Sequence, residues 1–289
     1  MRGIAEKGYP TRDLPRRGGN PRGPGFKSPR AHHKIPRILT HSLFFFQNIV
    51  SIKWETILVE TINVEKAKEK AAEKAMERVY DAEVIGVGTG STVLKVLEKM
   101  SRERDVFKRK TYLASSYDTM IKLSKLGFKV VPSYFTSIKP EIYIDGADEV
   151  DKNLNMVKGR GAALLMEKIL AYFSKKAIFI VDYTKLVNVL GSKKPIPVEV
   201  IPYAASYVYE ELKKMSLNPK IRYAKIGKDG PIVTDLGNII IDLYVKAIDP
   251  SGLELKLKSI PGVVETGLFV NLADEIIVGY PDRVEVLRR

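Results

Sequence analysis

Cysteine is absent from the 289 residues. That excludes structural disulfides, thiolate nucleophiles and cysteine-based zinc sites together. Histidine occurs only at His32, His33 and His41, and the single glutamine and tryptophan, Gln47 and Trp54, also fall in the first 60 residues. Beyond residue 60 there is no imidazole, so proton transfer near neutral pH falls to carboxylates, lysines or tyrosines with shifted pKa values. Scarce Cys and Gln beside abundant Lys and Glu also suit a protein from a hot environment. A long apolar run is missing too. The best candidate, 38–54, is broken by His41, Ser42, Gln47 and Asn48. It is too short and polar to cross a bilayer, and no small-residue cleavage site follows. No membrane partner and a cytoplasmic location are expected.

What is present is an ordinary globular composition, 45% apolar and 28% charged, with length for one large core or two smaller ones. The net charge of +14 invites a nucleic-acid reading. Its distribution argues against one, because residues 1–60 hold eleven Lys and Arg against four acids, half the whole excess. Residues 1–36 contain six prolines, six glycines and clustered arginines with little apolar content. Such a segment cannot bury enough surface to offset its ordering entropy, so disorder is expected. A basic arm for nucleic acid is the sharper alternative. A transit peptide fits the arginines but not the prolines. We read 1–60 as a disordered basic extension from an over-long gene model, with the mature chain starting near Leu58 or Val59.

The body is organised around residues 143–168, YIDGADEVDKNLNMVKGRGAALLMEK. Ile142, Tyr143 and Ile144 form a short apolar β-prone run, as in a strand buried on both faces of a parallel sheet. Asp145, Asp148, Glu149 and Asp151 follow at its carboxyl end, the edge where open α/β sheets bind ligands. Gly159 and Gly161 allow a tight turn beside Lys158. Residues 162–173 favour a helix, placing Glu167 about a turn and a half in. The plainer alternative makes the acids and glycines turn residues, Lys158 a solvated charge and Glu167 one half of a surface pair.

Upstream, Asn63 is a candidate N-cap. From it Val64, Ala67, Ala71, Ala75, Met76 and Val79 recur at helical spacing, with Lys68 one position from the stripe. A strand at 84–87 then runs through Gly86, Gly88 and Gly90 into Ser91, Thr92 and a helix to about Met100. Strand, glycine turn and helix N-terminus make an anion cradle. It is not the dinucleotide pattern, since Ser91 stands where the third glycine would be. A strand at 112–114, a helix at 117–126 and a strand at 130–131 precede the central stretch. Another strand, 177–181, follows it and ends in Asp182, Tyr183, Thr184 and Lys185. Alternation of this kind predicts right-handed βαβ units. The tips of three strands then bring 88–92, 145–148 and 182–185 to one edge, which points to a phosphorylated, polyhydroxylated substrate.

The fold class is thus α/β, a mostly parallel sheet with helices on both faces, plus a small α+β domain. The catalytic domain spans 61–194 and is completed by 268–289. The small domain, 195–267, has a strand-like segment framed by Pro195, Pro197 and Pro202 and a helix at 204–215. Strand-like runs at 221–223, 232–234 and 239–245 and a helix at 253–257 complete it. Residues 276–278 return to the main sheet before a final short helix.

Seven motifs carry a family resemblance: GVGTGST at 86–92, YIDGADEVD at 143–151, KGRGAALLMEK at 158–168, VDYTKLV at 181–187, PVEVIP at 197–202, TDLGN at 234–238 and PGVVETGLF at 261–269. In order and spacing they resemble the A-type ribose-5-phosphate isomerases, over about residues 61–289. The resemblance implies aldose–ketose interconversion of D-ribose 5-phosphate and D-ribulose 5-phosphate, a step of the pentose phosphate pathway, with no metal and no cofactor. It implies Glu167 as catalytic base, Asp145 and Asp148 as substrate-binding carboxylates and Lys158 as the catalytic-site lysine. Gly146, Ala147, Gly159, Arg160 and Gly161 complete the sugar site. Thr89, Gly90, Ser91, Thr92, Lys68 and Lys185 fall at phosphate-binding positions. A homodimer or homotetramer is implied as well. Two positions depart from the pattern: Arg160 stands where many members have glycine, and Leu236 replaces the asparagine of TDNGN. Two rival readings are weaker. An aminosugar-phosphate deaminase needs a histidine, and a phosphosugar sensor with a DNA-binding arm needs a helix-turn-helix that a Pro- and Gly-rich arm cannot form.

Overall fold

The computed structural model describes residues 37–132 and 137–289, with side chains from Ile57 onward. The expectations for residues 1–36 lie outside it. The chain forms two units, Met1–Ile52 and Lys53–Arg289. In the first, the described backbone is helical from Arg37. The second holds every strand among the described residues.

In chain order the elements are α1 (Arg37–Val79), β1 (Val84–Val87), α2 (Ser91–Arg102), α3 (Arg104–Phe107), β2 (Thr111–Ala114), α4 (Tyr117–Lys125), β3 (Lys129–Val130) and β4 (Ile142–Asp145). There follow β5 (Glu149–Val150), β6 (Met156–Val157), α5 (Leu164–Phe173), β7 (Lys176–Asp182), β8 (Ile196–Val200), α6 (Ala205–Lys214) and β9 (Pro219–Ile221). Last come β10 (Ile239–Leu243), α7 (Pro250–Lys258), β11 (Val263–Thr266), β12 (Leu268–Phe269), β13 (Glu275–Gly279) and β14 (Val284–Arg288).

The main sheet runs β14-β13-β7-β4-β1-β2-β3, parallel except where β14 pairs antiparallel with β13. Because side chains alternate across a strand, each strand feeds two cores. Ile85, Val87, Ile144, Ile178, Ile180 and Ile277 pack with α1 and α2 on one face. Tyr143, Phe179, Val181, Ile276 and Val278 pack with Leu170 and Ala171 of α5 on the other. On α1 the buried stripe is nearly all alanine, and the reason is visible at Gly279. A Cβ there would lie 1.9 Å from the Ala67 carbonyl oxygen, so helix and strand approach backbone to backbone. A second, four-stranded antiparallel sheet, β11-β8-β10-β9, is drawn from residues 196–266 and buries its own cluster around Val198, Val208, Ile241 and Leu257. A short third sheet, β12-β6-β5, carries the chain from β4 towards α5.

The helix of the 63–79 stripe begins at Arg37, so Asn63 lies inside α1 and is not its N-cap, and the boundary expected at residue 60 falls within the same helix. The final element is the strand β14, not a short helix: Val284 and Val286 face one core and Leu287 the other, as on a strand, and hydrogen bonding to β13 decides a segment this short. Of the expected strands in the small sheet, 232–234 contributes only an isolated bridge, Val233 to Ile239. No helix among the described residues is long and apolar enough to cross a membrane.

Candidate active site

The carboxyl ends of β1, β4 and β7 lie together, since Val87 pairs with Ile144 and Asp145 with Phe179. Asp145 is the last residue of β4 and is wholly buried. Its carboxylate is the hub of the site. Oδ1 accepts from the backbone N–H of Thr89 at 3.1 Å and of Gly146 at 2.7 Å. Oδ2 accepts from the Tyr143 hydroxyl and pairs with Lys158 Nζ at 2.7 Å. Gly88 makes room for it: a Cβ at that position would fall 1.9 Å from Asp145 Cγ.

Lys158 is delivered by the β5–β6 hairpin, and its backbone is held by an N–H bond to Gly267 O at 2.9 Å. Its side chain is 3% exposed and donates to Gly146 O at 2.7 Å. Phe179 and Phe269 present their rings to the ammonium at 5.7 and 5.4 Å. Glu167 lies in the first turn of α5, since the helix starts at Leu164 and not at Ala162. Before it, Gly159 and Ala162 take left-handed backbone, with φ of 102° and 59°. At Ala162 this is uncommon for a residue with a side chain. Glu167 is 4% exposed, and its Oε2 sits 3.1 Å from Lys158 Nζ without the alignment of a hydrogen bond.

These contacts set the charge states. Burial, then the Asp145 charge, raises the Glu167 carboxyl, and Lys158 only partly opposes them; the result is a carboxylate pushed up to about 8. For Lys158 burial pulls downward, but Asp145 and Glu167 outweigh it and hold the ammonium protonated well above its usual range. Tyr143 is raised far above an ordinary phenol by burial and by the same two carboxylates.

A cavity of about 530 Å³ opens over this group. Thr89, Gly90, Ser91 and Thr92 line it from the β1–α2 turn, and Gly146, Ala147 and Asp148 from the end of β4. Lys158, Gly159, Arg160, Gly161 and Glu167 line it as well, together with Lys68 of α1 and Lys185 beyond β7. Every expected site residue therefore borders one cavity except Asp145, which is sealed behind Lys158. Gly90 caps α2 with a φ of 140°, leaving the first N–H groups of that helix without side-chain acceptors, the arrangement that receives anions. Thr89 aims its hydroxyl elsewhere, at Ser116 (2.7 Å) and Thr119 (3.1 Å).

The four acids separate by role. Asp148 borders the cavity and accepts from Arg160 N–H at 3.0 Å. Glu149 is buried and accepts from three backbone N–H groups, those of Gly191, Lys193 and Lys194. Asp151 closes its own turn with Asn153 and Asn155. Asp182, expected at this edge among the strand-tip residues 182–185 but without a site role, borders the cavity with a buried, unpartnered Oδ2. A somewhat larger cleft of about 620 Å³, beside Lys152, Lys193 and Lys246, lacks such a group, since its acid is Asp151. Among the described residues no cluster of His, Asp or Glu is arranged to hold a metal ion.

A buried lysine between two carboxylates, below a cavity walled by lysines and a helix N-terminus at the carboxyl edge of a parallel sheet, defines an α/β enzyme that moves protons on a small anionic molecule. Comparison with known proteins gives the family. Residues 111–283 match the model for ribose 5-phosphate isomerase A (phosphoriboisomerase A). The ribose-5-phosphate isomerase A of Thermococcus kodakarensis is 42% identical over 79% of this chain and all of its own length. That of Buchnera aphidicola is 40% identical over 78% of this chain and all of its own length. A solved D-ribose-5-phosphate isomerase in complex with phospho-erythronic acid superposes with a TM-score of 0.75, at 39% identity, over 78% of this chain and 100% of that one. The Methanocaldococcus jannaschii ribose 5-phosphate isomerase A structure gives 0.73 at 35% identity, over 78% of this chain and 99% of that one. The chain belongs to the ribose 5-phosphate isomerase A family.

Proposed function

We propose that the protein interconverts D-ribose 5-phosphate and D-ribulose 5-phosphate by moving one proton between C2 and C1 through an enediolate. The observation that carries this is Glu167: a cavity-facing carboxylate pushed up to about 8, beside a lysine that stays charged. From aldose to ketose, Glu167 takes the proton from C2 while the carbonyl oxygen at C1 gathers negative charge. Lys158 and the N–H groups of Gly159 and Gly161 stabilise that oxygen. Glu167 then returns the proton to C1 as the C2 oxygen becomes the carbonyl and the hydroxyl proton passes from O2 to O1. The reaction is redox-neutral, so it calls for no redox cofactor.

The phosphate is assigned to the α2 N-terminus with Lys68 and Lys185. A relative's complex with phospho-erythronic acid, a phosphorylated sugar acid, supports a phosphosugar in this cavity. Asp148 is the carboxylate assigned to ring opening. Asp145 is assigned instead to orienting Lys158 and raising Glu167, because its own oxygens are already bonded and it does not border the cavity. A cytoplasmic homo-oligomer belongs to the same proposal, in line with the family resemblance. The test is turnover of D-ribose 5-phosphate in deuterated water. D-ribulose 5-phosphate is expected, with deuterium at C1 to the extent that the proton on Glu167 exchanges with solvent before its return, and absence of both turnover and exchange would sink the reading.

A further inference from the structure

The Lys158–Gly161 turn belongs to the cavity; Ala162 N–H holds Gly159 O from within it at 3.1 Å, and a second hold comes from the antiparallel sheet. Arg222 follows β9, with its backbone N–H bonded to Ile240 O at 2.9 Å and its carbonyl accepting from Ile232 N–H at 2.8 Å. Its guanidinium forms a two-point pair with Asp242 of β10, through Nε to Oδ2 at 2.8 Å and Nη2 to Oδ1. Both side chains are largely buried, at 14% and 10% exposure. The remaining nitrogen, Nη1, donates to Gly159 O at 2.8 Å and Arg160 O at 3.0 Å.

In a planar trans peptide the carbonyl and the following N–H point opposite ways. Pinning these two oxygens on Arg222 therefore turns the N–H groups of Arg160 and Gly161 to the other side. There Arg160 N–H meets Asp148 Oδ2, and Gly161 borders the cavity. Gly159 and Gly161 have no Cβ to resist a flip. A flipped peptide would aim a carbonyl oxygen at the developing oxyanion.

We propose that Arg222, locked by Asp242, is a positioning residue that sets the peptide orientation of the Lys158–Gly161 turn, keeping the Arg160 N–H on Asp148 and turning the Gly161 N–H to the reacting oxygen. The proposal rests on the isomerase reading above. Arg222→Gln is expected to lower kcat about 10- to 100-fold, the scale of a misaimed catalytic donor, with KM for D-ribose 5-phosphate changing less than about threefold. In Arg222→Ala, millimolar guanidinium should restore part of kcat and equimolar urea should not. Binding of phospho-erythronic acid should weaken along with kcat. Arg222→Lys, which carries the charge but cannot fork between Asp242 and two carbonyls, should fall between. If Arg222→Gln does not fold, Asp242→Asn is read by the same split. A folded variant with kcat within twofold of the parent, or a loss in KM alone, overturns the positioning role. Full turnover in the Arg222 variants with none in Glu167→Gln would discard this inference and leave the isomerase reading standing. Full turnover in both would remove that reading itself.

Discussion

Lys158 and Lys168 are both buried lysines set between two carboxylates. Lys158 pairs with Asp145 at 2.7 Å and Glu167 at 3.1 Å. Lys168 pairs with Glu254 at 2.6 Å and Glu265 at 2.8 Å. The outcomes are opposite. Against the upward pull of burial, Lys168, then Lys258 and the Thr266 N–H, hold Glu265 below the usual carboxylate range. Glu167 receives one misaligned ammonium, while Asp145 takes the two N–H groups, the phenol and the better lysine contact. Each triad is one lysine between two carboxylates; the number of donors left over for the second carboxylate differs. A fully supplied triad is a clasp, joining α5 to the antiparallel sheet. An undersupplied one leaves Glu167 with the raised pKa that the proposed base needs.

The contrast is open to direct attack, and removing the base strikes hardest. Glu167→Gln should lower kcat about 10³- to 10⁴-fold with KM little changed, the scale of a general base; near-normal turnover in a steady-state assay would abolish the distinction between the triads. Lys168→Met should instead destabilise the fold by about 3 kcal/mol, the low end for stranding buried partners, while kcat falls less than tenfold. Urea unfolding and kinetics on one preparation would show whether the two losses separate.

The third prediction concerns protons. A base raised to about 8 must be ionised to act, so kcat/KM should climb with pH and level off above 8. Two units lower it should have dropped about 100-fold; a flat profile between pH 6 and 8 contradicts the assignment. The sign for stability is reversed. Between 4.5 and 8 the folded protein keeps a proton on Glu167 that the unfolded chain has released, so this residue costs more stability as pH rises. The Tm advantage of Glu167→Gln over the parent should accordingly widen from pH 5 to pH 8 in calorimetry. The smallest effect is expected at the cavity wall, where Lys185→Ala should raise KM about tenfold, near 1.4 kcal/mol, at constant kcat. An unchanged KM removes Lys185 from the phosphate position.

Most of this site is readable from residues because its parts sit at strand ends. A glycine turn after β1, an acid ending β4 and a lysine beyond β7 follow from alternation and the rule for parallel sheets. What stays hidden depends on depth and on distant chain. Asp145 and Asp148 look equivalent in DGAD, yet one is sealed behind Lys158 and the other borders the cavity. Leu236 of TDLGN tells little, but its neighbours Thr234 and Asn238 hold the buried Glu199 at 2.9 Å each. Arg222 carries no local signal, because its carbonyl partner Gly159 is 63 positions away. The last strand carries a short signal of its own, the V-E-V alternation of Val284 to Val286, and five residues cannot support a helix by themselves.

Glu167 also governs how the site responds to heat. Ionising a carboxylic acid exchanges little enthalpy, whereas deprotonating an imidazole absorbs a good deal, so the pKa of a histidine base drifts downward on warming and that of a carboxylate hardly moves. Beyond residue 60 this chain has no histidine, and its base is set by burial and by Asp145. As the proposed base, Glu167 would therefore bring little intrinsic ionisation enthalpy to the temperature dependence of the proton transfer.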